Sequence, residues 1–327
     1  MPATPRVAVL GSMNMDISVS VPELPGPGAT VLGSEARFAP GGKGGNQAVA
    51  AARLGAEVRM AACVGPDEFG RQLRQALQEE SVDTSAVREV PGVASGLALI
   101  SVDESGENMI TVAAGANESA GEEEVRAALA GSPDVLVISA EVPLPAIQAA
   151  LAQARDRAAT AADAAADAAG PPRPLICLLN LAPVPPGAQE VIEAGVDWLV
   201  VNEIEASAVL GRPVTGLDQA LTAAASLLIV GAGQAVVTAG AAGAAYAGPA
   251  GRITVPGFPV RAVDSVGAGD TFVGALATAL AAGAAAEPAI RAACAAAAVA
   301  TTRPGTQDAM PHPADVPALT GVPWPPE

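Results

Sequence analysis

The chain has 327 residues, of which half are hydrophobic but only 2% aromatic, so its core must be built from Ala, Val, Leu and Ile. A formal net charge of −17 excludes a general polyanion-binding surface, and nucleic acid is not an expected partner. Cys63, Cys177 and Cys294 stand far apart with no C-x-x-C pair, which points away from a disulfide framework or zinc site and toward a reducing compartment.

In chain order, a strand is predicted at residues 6–11, at the very start and with no basic and apolar leader before it. No clean apolar span of about 20 residues follows anywhere, so the expectation is a cytoplasmic protein without a membrane partner. Asn14, Met15 and Asp16 come next, and then the run Gly41-Gly42-Lys43-Gly44-Gly45-Asn46-Gln47-Ala48 opens a helix at 46–54. Glycines let a backbone approach a ligand closely, and Asn14, Asp16, Lys43 and Asn46 offer the mixed donors and acceptors that a polyhydroxylated ligand needs. Taken singly, Asn14 and Asp16 read equally as turn residues and Lys43 as a solvated charge. Neither G-x-x-x-x-G-K-[ST] nor a helix-opening G-x-G-x-x-G occurs, so Walker A and dinucleotide folds have no support.

Further strands are predicted at 58–64, 135–139, 175–180, 198–202 and 235–239. Helices are predicted at 69–80, 122–130, 144–152, 203–210, 217–228 and 270–281. This alternation predicts an α/β fold, a three-layer sandwich with a mostly parallel central sheet flanked by helices. Residues 17–21 with 30–38, and 96–102 with 108–112, break the rhythm: they read as strands joined by turns, forming a small separate sheet or edge hairpins. Residues 155–174 are Ala- and Pro-rich and low in complexity. They read as an insertion without a catalytic role that lengthens a helix or forms a loop. The one histidine, His312, lies in a Pro-rich tail and reads as solvated, so histidine acid–base chemistry is not expected.

Near the C-terminus, Asp264-Ser265-Val266-Gly267-Ala268-Gly269-Asp270 runs straight into an apolar helix. Amides at such a helix mouth suit a phosphate in transfer, and a carboxylate beside them can take the proton of an attacking hydroxyl. Read alone, the same segment is an ordinary strand–helix turn with a capping Asp. Together with the glycine-rich run near residue 43, with Val9-Leu10-Gly11-Ser12-Met13-Asn14-Met15-Asp16, Ala113-Ala114-Gly115-Ala116-Asn117, Val201-Asn202-Glu203-Ile204-Glu205 and Val255-Pro256-Gly257-Phe258, and with Ala289-Ile290-Arg291 through Thr302-Arg303-Pro304-Gly305, it resembles the ribokinase family of carbohydrate kinases. The motifs fall in the family's order and span nearly the whole chain.

That resemblance implies one kinase domain over 1–327, with a β lid formed from about 12–40 and 95–113 that also pairs subunits into a homodimer. It implies ATP-dependent phosphorylation of D-ribose at O5, with ATP, Mg²⁺ and K⁺. Asp270 matches the family's base, and Gly267, Ala268 and Gly269 its anion hole. Asn14, Met15, Asp16, Gly42, Lys43, Gly44, Gly45, Asn46 and Glu141 match the sugar site. Asn202, Thr238, Ala239, Gly240, Ala241, Ala242, Gly243, Gly269, Asp270 and Cys294 match the ATP site. Glu205 matches the residue that holds Mg²⁺ through water. Asp264, Val266, Ala300, Arg303, Gly305 and Ala309 match a K⁺ site, with Arg303 serving by its main chain.

Cys294 stands where the family often carries Asn, so adenine would be held mainly by packing. Ser265 replaces a usual Thr. Two other readings stay open: a kinase of another sugar or of a nucleoside, and a non-catalytic sugar-binding regulator. A nucleoside would call for an aromatic wall, and the chain has four Phe, two Trp and one Tyr. A regulator would be marked by loss of Asp270 or its glycines, and both are intact.

Overall fold

The computed structural model describes residues 3–165 and 174–326. Strand β1 (Arg6–Leu10) leads through β2 (Asn14–Ser20) and β3 (Arg37–Gly41) into helix α1 (Lys43–Arg53). Then come β4 (Glu57–Val64), α2 (Glu68–Glu79), β5 (Asp83–Glu89), β6 (Gly96–Val102) and β7 (Asn108–Ala113). α3 (Glu122–Leu129), β8 (Val135–Ser139), α4 (Leu144–Ala165), β9 (Ile176–Asn180), α5 (Ala188–Glu193) and β10 (Val196–Asn202) continue the alternation. α6 (Glu203–Leu210), α7 (Gly216–Val230), β11 (Ala232–Thr238), β12 (Gly243–Gly248) and β13 (Gly251–Pro256) precede the last helices, α8 (Ala268–Ala281), α9 (Ala286–Ala300) and α10 (Asp315–Thr320).

Nine strands form the main sheet in the order β13-β12-β11-β10-β9-β8-β1-β4-β5, and four form a smaller one in the order β3-β2-β6-β7. The main sheet is parallel from β11 to β5, with an antiparallel hairpin on one edge. Central strands are apolar on both sides because helices cover both faces. In β8, Val135 and Val137 face one core with α1, α8 and α9, while Leu136 and Ile138 face the other with α3, α4 and α7. The expected three-layer α/β sandwich is therefore the fold.

Several boundaries differ from expectation. Residues 30–36 form no strand, and the strand of the small sheet before α1 is Arg37–Gly41. The reason is pairing: β2 offers Asn14 through Ser18 to residues 41 through 37 and ends at Ser20, where the Ser34 amide bonds the Ser20 carbonyl. Edge strand β5, the β12–β13 hairpin and helices α5, α9 and α10 were not predicted. β5 reads Asp-Thr-Ser-Ala-Val-Arg-Glu and β12 Gly-Ala-Ala-Tyr-Ala-Gly, sequences with little β-branched content, so pairing alone makes them strands. The low-complexity segment lengthens α4 through Ala165, and Arg157 docks that extension on the Leu129 carbonyl and Ser132. Its remainder, 166–173, lies outside the described residues.

Candidate active site

The carboxyl ends of β1, β8, β9, β10 and β11 open toward the N-termini of α1 and α8, where ligands of open parallel sheets bind. β1 runs into Ser12, whose hydroxyl donates to Glu141, just past β8, at 2.5 Å. The backbone amide of Lys43 donates to the same carboxylate oxygen at 3.1 Å, so Glu141 closes the mouth of α1. The amides of Gly44 and Gly45 are taken up by Ser12, which makes these two glycines scaffold rather than free donors. Gly42 enters the helix with a φ of 83°, a conformation that favours glycine.

Asn14 and Asp16 share one face of β2, while Met15 between them turns the other way into the core. Asn14 is buried, and its Oδ1 accepts from Asn117 Nδ2 at 2.8 Å; Asn117 Oδ1 in turn accepts the Met13 amide. Burial, with Glu141 and Asp270 nearby, pushes the Asp16 carboxyl up to about 7. Lys43 is the chain's one lysine. The negative charge of Asp270 first, and then Glu141 and Glu205, raise its pKa against the effect of burial and so hold its ammonium charged. These five ionisable groups therefore cluster at the sheet's carboxyl edge.

Asp270 sits in the first turn of α8, behind Gly267, which caps the helix at a φ of 75°. It is 7% exposed. Its Oδ2 accepts from Asn46 Nδ2 at 2.9 Å and its Oδ1 from Gln47 Nε2 at 3.0 Å. Both donors come from α1, which lies against α8 so closely that a Cβ on Gly274 would stand 2.7 Å from the Gln47 carbonyl oxygen. Gln307 Nε2 supports Asn46 from the opposite side at 3.1 Å. Sequence reasoning assigned no role to Gln47 or Gln307. Gln47 lay in a motif already singled out and its adjacency to Asn46 was the available signal, whereas nothing in the sequence marks Gln307.

Farther along the same edge of the sheet, Asn202 and Thr238 are register partners at the ends of β10 and β11. Asn202 caps α6 in a reciprocal box with Glu205: the Asn202 amide and Nδ2 donate to the two oxygens of Glu205, at 2.7 and 3.0 Å. Burial raises the Glu205 pKa. Glu203 instead bonds the Gly216 amide, a purely structural contact. Ala239 through Gly243 form the short turn between β11 and β12. Cys294 lies buried in α9 among apolar neighbours, which push its thiol up to about 12.

Asp264 joins two loops: its oxygens accept from the Val266 and Gly305 amides at 3.0 Å each, which draws residues 264–266 toward 300–305. Arg303 turns its guanidinium to Asp315. Ala300 and Ala309 are buried beside these loops.

The sequence matches the pfkB family carbohydrate kinase over residues 4–313. It is 35% identical over 307 residues to a ribokinase of Haemophilus influenzae, covering 93% of this chain and 95% of that protein. It is 32% identical over 307 residues to a deoxyribokinase of Salmonella typhimurium, with the same coverage of 93% and 95%. The fold superposes on a structure of Arabidopsis thaliana ribokinase complexed with ribose and ATP with a TM-score of 0.81, at 28% identity, covering 97% of this chain and 99% of that one.

Proposed function

The chain belongs to the pfkB family of carbohydrate kinases, and we propose that it transfers the γ-phosphoryl group of ATP to O5 of D-ribose, giving ribose 5-phosphate and ADP. The observation that carries this reading is Asp270, a buried carboxylate at the mouth of α8 held on each oxygen by an amide of α1. Asp270 accepts the proton of the 5-hydroxyl as O5 bonds to the γ-phosphorus and the bridging oxygen departs with ADP. The first-turn amides around Gly267, Ala268 and Gly269 lie where charge develops on the transferring phosphoryl, and Lys43 adds a fixed positive charge. Asn14, Asp16, Asn46 and Glu141 hold the sugar hydroxyls.

Asn202, Thr238 and the turn through Gly243 receive the nucleotide, with Cys294 packing near the base. Glu205 suits a hold on Mg²⁺ through water, since both its oxygens already accept from Asn202; bound with ATP, the ion neutralises phosphate charge. The loops tied by Asp264 suit K⁺, which would be held mainly by main-chain carbonyls of Asp264, Val266, Ala300, Arg303, Gly305 and Ala309 and, when bound, would supply order to the turn before α8. The small sheet serves as the lid and pairs two copies. Exposed Phe38, Leu99, Met109, Ile110 and Val112 on it support that pairing.

The test is ADP release across a panel of sugars and nucleosides. D-ribose should give the highest kcat/KM, and 2-deoxyribose should be clearly poorer because polar groups facing the 2-hydroxyl would be left unpaired. Preference for 2-deoxyribose, the substrate class in the name of the Salmonella relative, would move the acceptor while keeping the chemistry. No turnover of any acceptor would overturn the reading.

A further inference from the structure

Gln47 is fully buried in α1, one residue beyond Asn46. Its Nε2 donates twice, to Asn180 Oδ1 at 2.9 Å and to Asp270 Oδ1 at 3.0 Å. Asn180 ends β9 and donates its own Nδ2 to the Val200 carbonyl of β10 at 3.3 Å, which settles which end of its amide faces Gln47. Rotating the Gln47 amide would set its oxygen against two acceptors, so this network admits one orientation. In that orientation Gln47 Oε1 is buried and meets no hydrogen-bond donor among the described residues. A buried acceptor without a donor is unfavourable, and an apolar side chain of the same length would avoid that cost only by leaving the buried Asn180 Oδ1 without its Gln47 donor. Packing therefore does not account for an amide at this position; what the amide adds is its pair of N–H bonds.

We propose that Gln47 is a positioning residue for the phosphoryl transfer, holding the Asp270 carboxylate in its reactive orientation through Oδ1 while Asn46 holds Oδ2. The inference rests on the role of Asp270 given above. One amide alone leaves a carboxylate free to rotate about its Cβ–Cγ bond; two donors on different oxygens fix its plane, and each oxygen keeps a lone pair for the sugar hydroxyl. Asn180 transmits the rigidity of the central sheet to this pair, so the base is aligned by β9 and β10 as well as by its own helix. Gln47 lies beneath the carboxylate and acts through it without touching the sugar.

The experiment measures kcat, KM and equilibrium sugar binding for Gln47→Met, Asn180→Leu and the double variant, with the acceptor that wild-type protein turns over fastest. Gln47→Met should lower kcat by about 10- to 100-fold, as misorientation of a reacting group does, with sugar affinity within about threefold. Asn180→Leu should lower kcat less, and the double variant should match Gln47→Met, since Asn180 acts only through Gln47. Gln47→Met with kcat within about twofold of wild type, an equal loss in sugar affinity and kcat, or losses in the double variant that multiply would each overturn the proposal. If Gln47→Met does not fold by circular dichroism, the double variant, which removes both halves of the buried amide pair, takes its place; failure of both to fold would assign Gln47 to the core and overturn it too. Wild-type protein that phosphorylates nothing tells against Asp270 as a kinase base, whereas active wild type with an equally active Gln47→Met protein tells against the positioning role alone.

Discussion

Asp270 is one carboxylate with two amide donors, and its substitution separates chemistry from binding. Asp270→Asn keeps the size of the side chain but removes the base and sets an NH2 against one of the two N–H donors of α1, so kcat should fall by about 10²–10⁴ with sugar affinity within a few-fold. Steady-state kinetics with parallel calorimetry checks this, and near-normal turnover would remove Asp270 from the chemistry. Asp16 carries the pH dependence. Its carboxyl is raised from 3.8 to about 7 by burial and by Glu141 and Asp270, so between those values the folded protein holds a proton that the unfolded chain has released. Stability of the ligand-free fold should therefore fall as pH rises from about 4 to about 7. Sugar binding runs the other way: the ionised carboxylate accepts hydroxyl protons, so the sugar Kd should rise by up to about tenfold per pH unit below 7. Asp16→Asn should flatten both profiles, and denaturation midpoints and sugar titrations from pH 5 to pH 8 would reveal a slope that survives it.

At the level of elements, the site depends on how closely α8 lies against α1. A Cβ on Gly274 would stand 2.6 Å from Ala50 Cβ and 2.7 Å from the Gln47 carbonyl oxygen, so Gly274→Val must push the helices apart. Overpacking of this kind costs about 1–3 kcal/mol. It should also lower kcat, because Asp270 then leaves its donors on α1. Gly269 provides the contrast. A Cβ there meets nothing within 4 Å, so Gly269→Ala should leave the melting temperature unchanged while a methyl group at the helix mouth crowds the phosphate. Melting curves and kcat for the two variants check the pair: loss of stability in Gly269→Ala, or unchanged stability in Gly274→Val, would contradict this account of the helix pair.

For the whole molecule, the loop pair joined by Asp264 links the C-terminal segment to the turn before α8, and Gln307 in that segment reaches Asn46. A cation ordering those loops would preorganise the phosphate cradle. K⁺ should therefore raise kcat or kcat/KM at constant ionic strength with Na⁺ a poor substitute. Equal rates in KCl, NaCl and a bulky organic cation, from protein stripped of K⁺, would sink the idea. Much of this molecule was legible beforehand. Strands such as β8, apolar on both faces, and helices such as α7, with Ala220, Ala223, Ala224 and Leu227 on one side, declare themselves by period because burial imposes it. Edge strand β5, and β12 beside the other edge, do not, since ladder pairing rather than side-chain character makes them strands. The sequence by itself determined the layered α/β architecture, the glycine-rich turn ahead of α8 and the identity of the carboxylate behind it, because local periodicity and backbone demands write those into adjacent residues. Only the tertiary structure decided that Met15 faces the core, that Glu141 closes α1, and that Gln47, Asn180 and Gln307 stand around Asn46 and Asp270, because hydrogen bonds across 133 and 261 positions of sequence depend on where the sheet brings separate elements together.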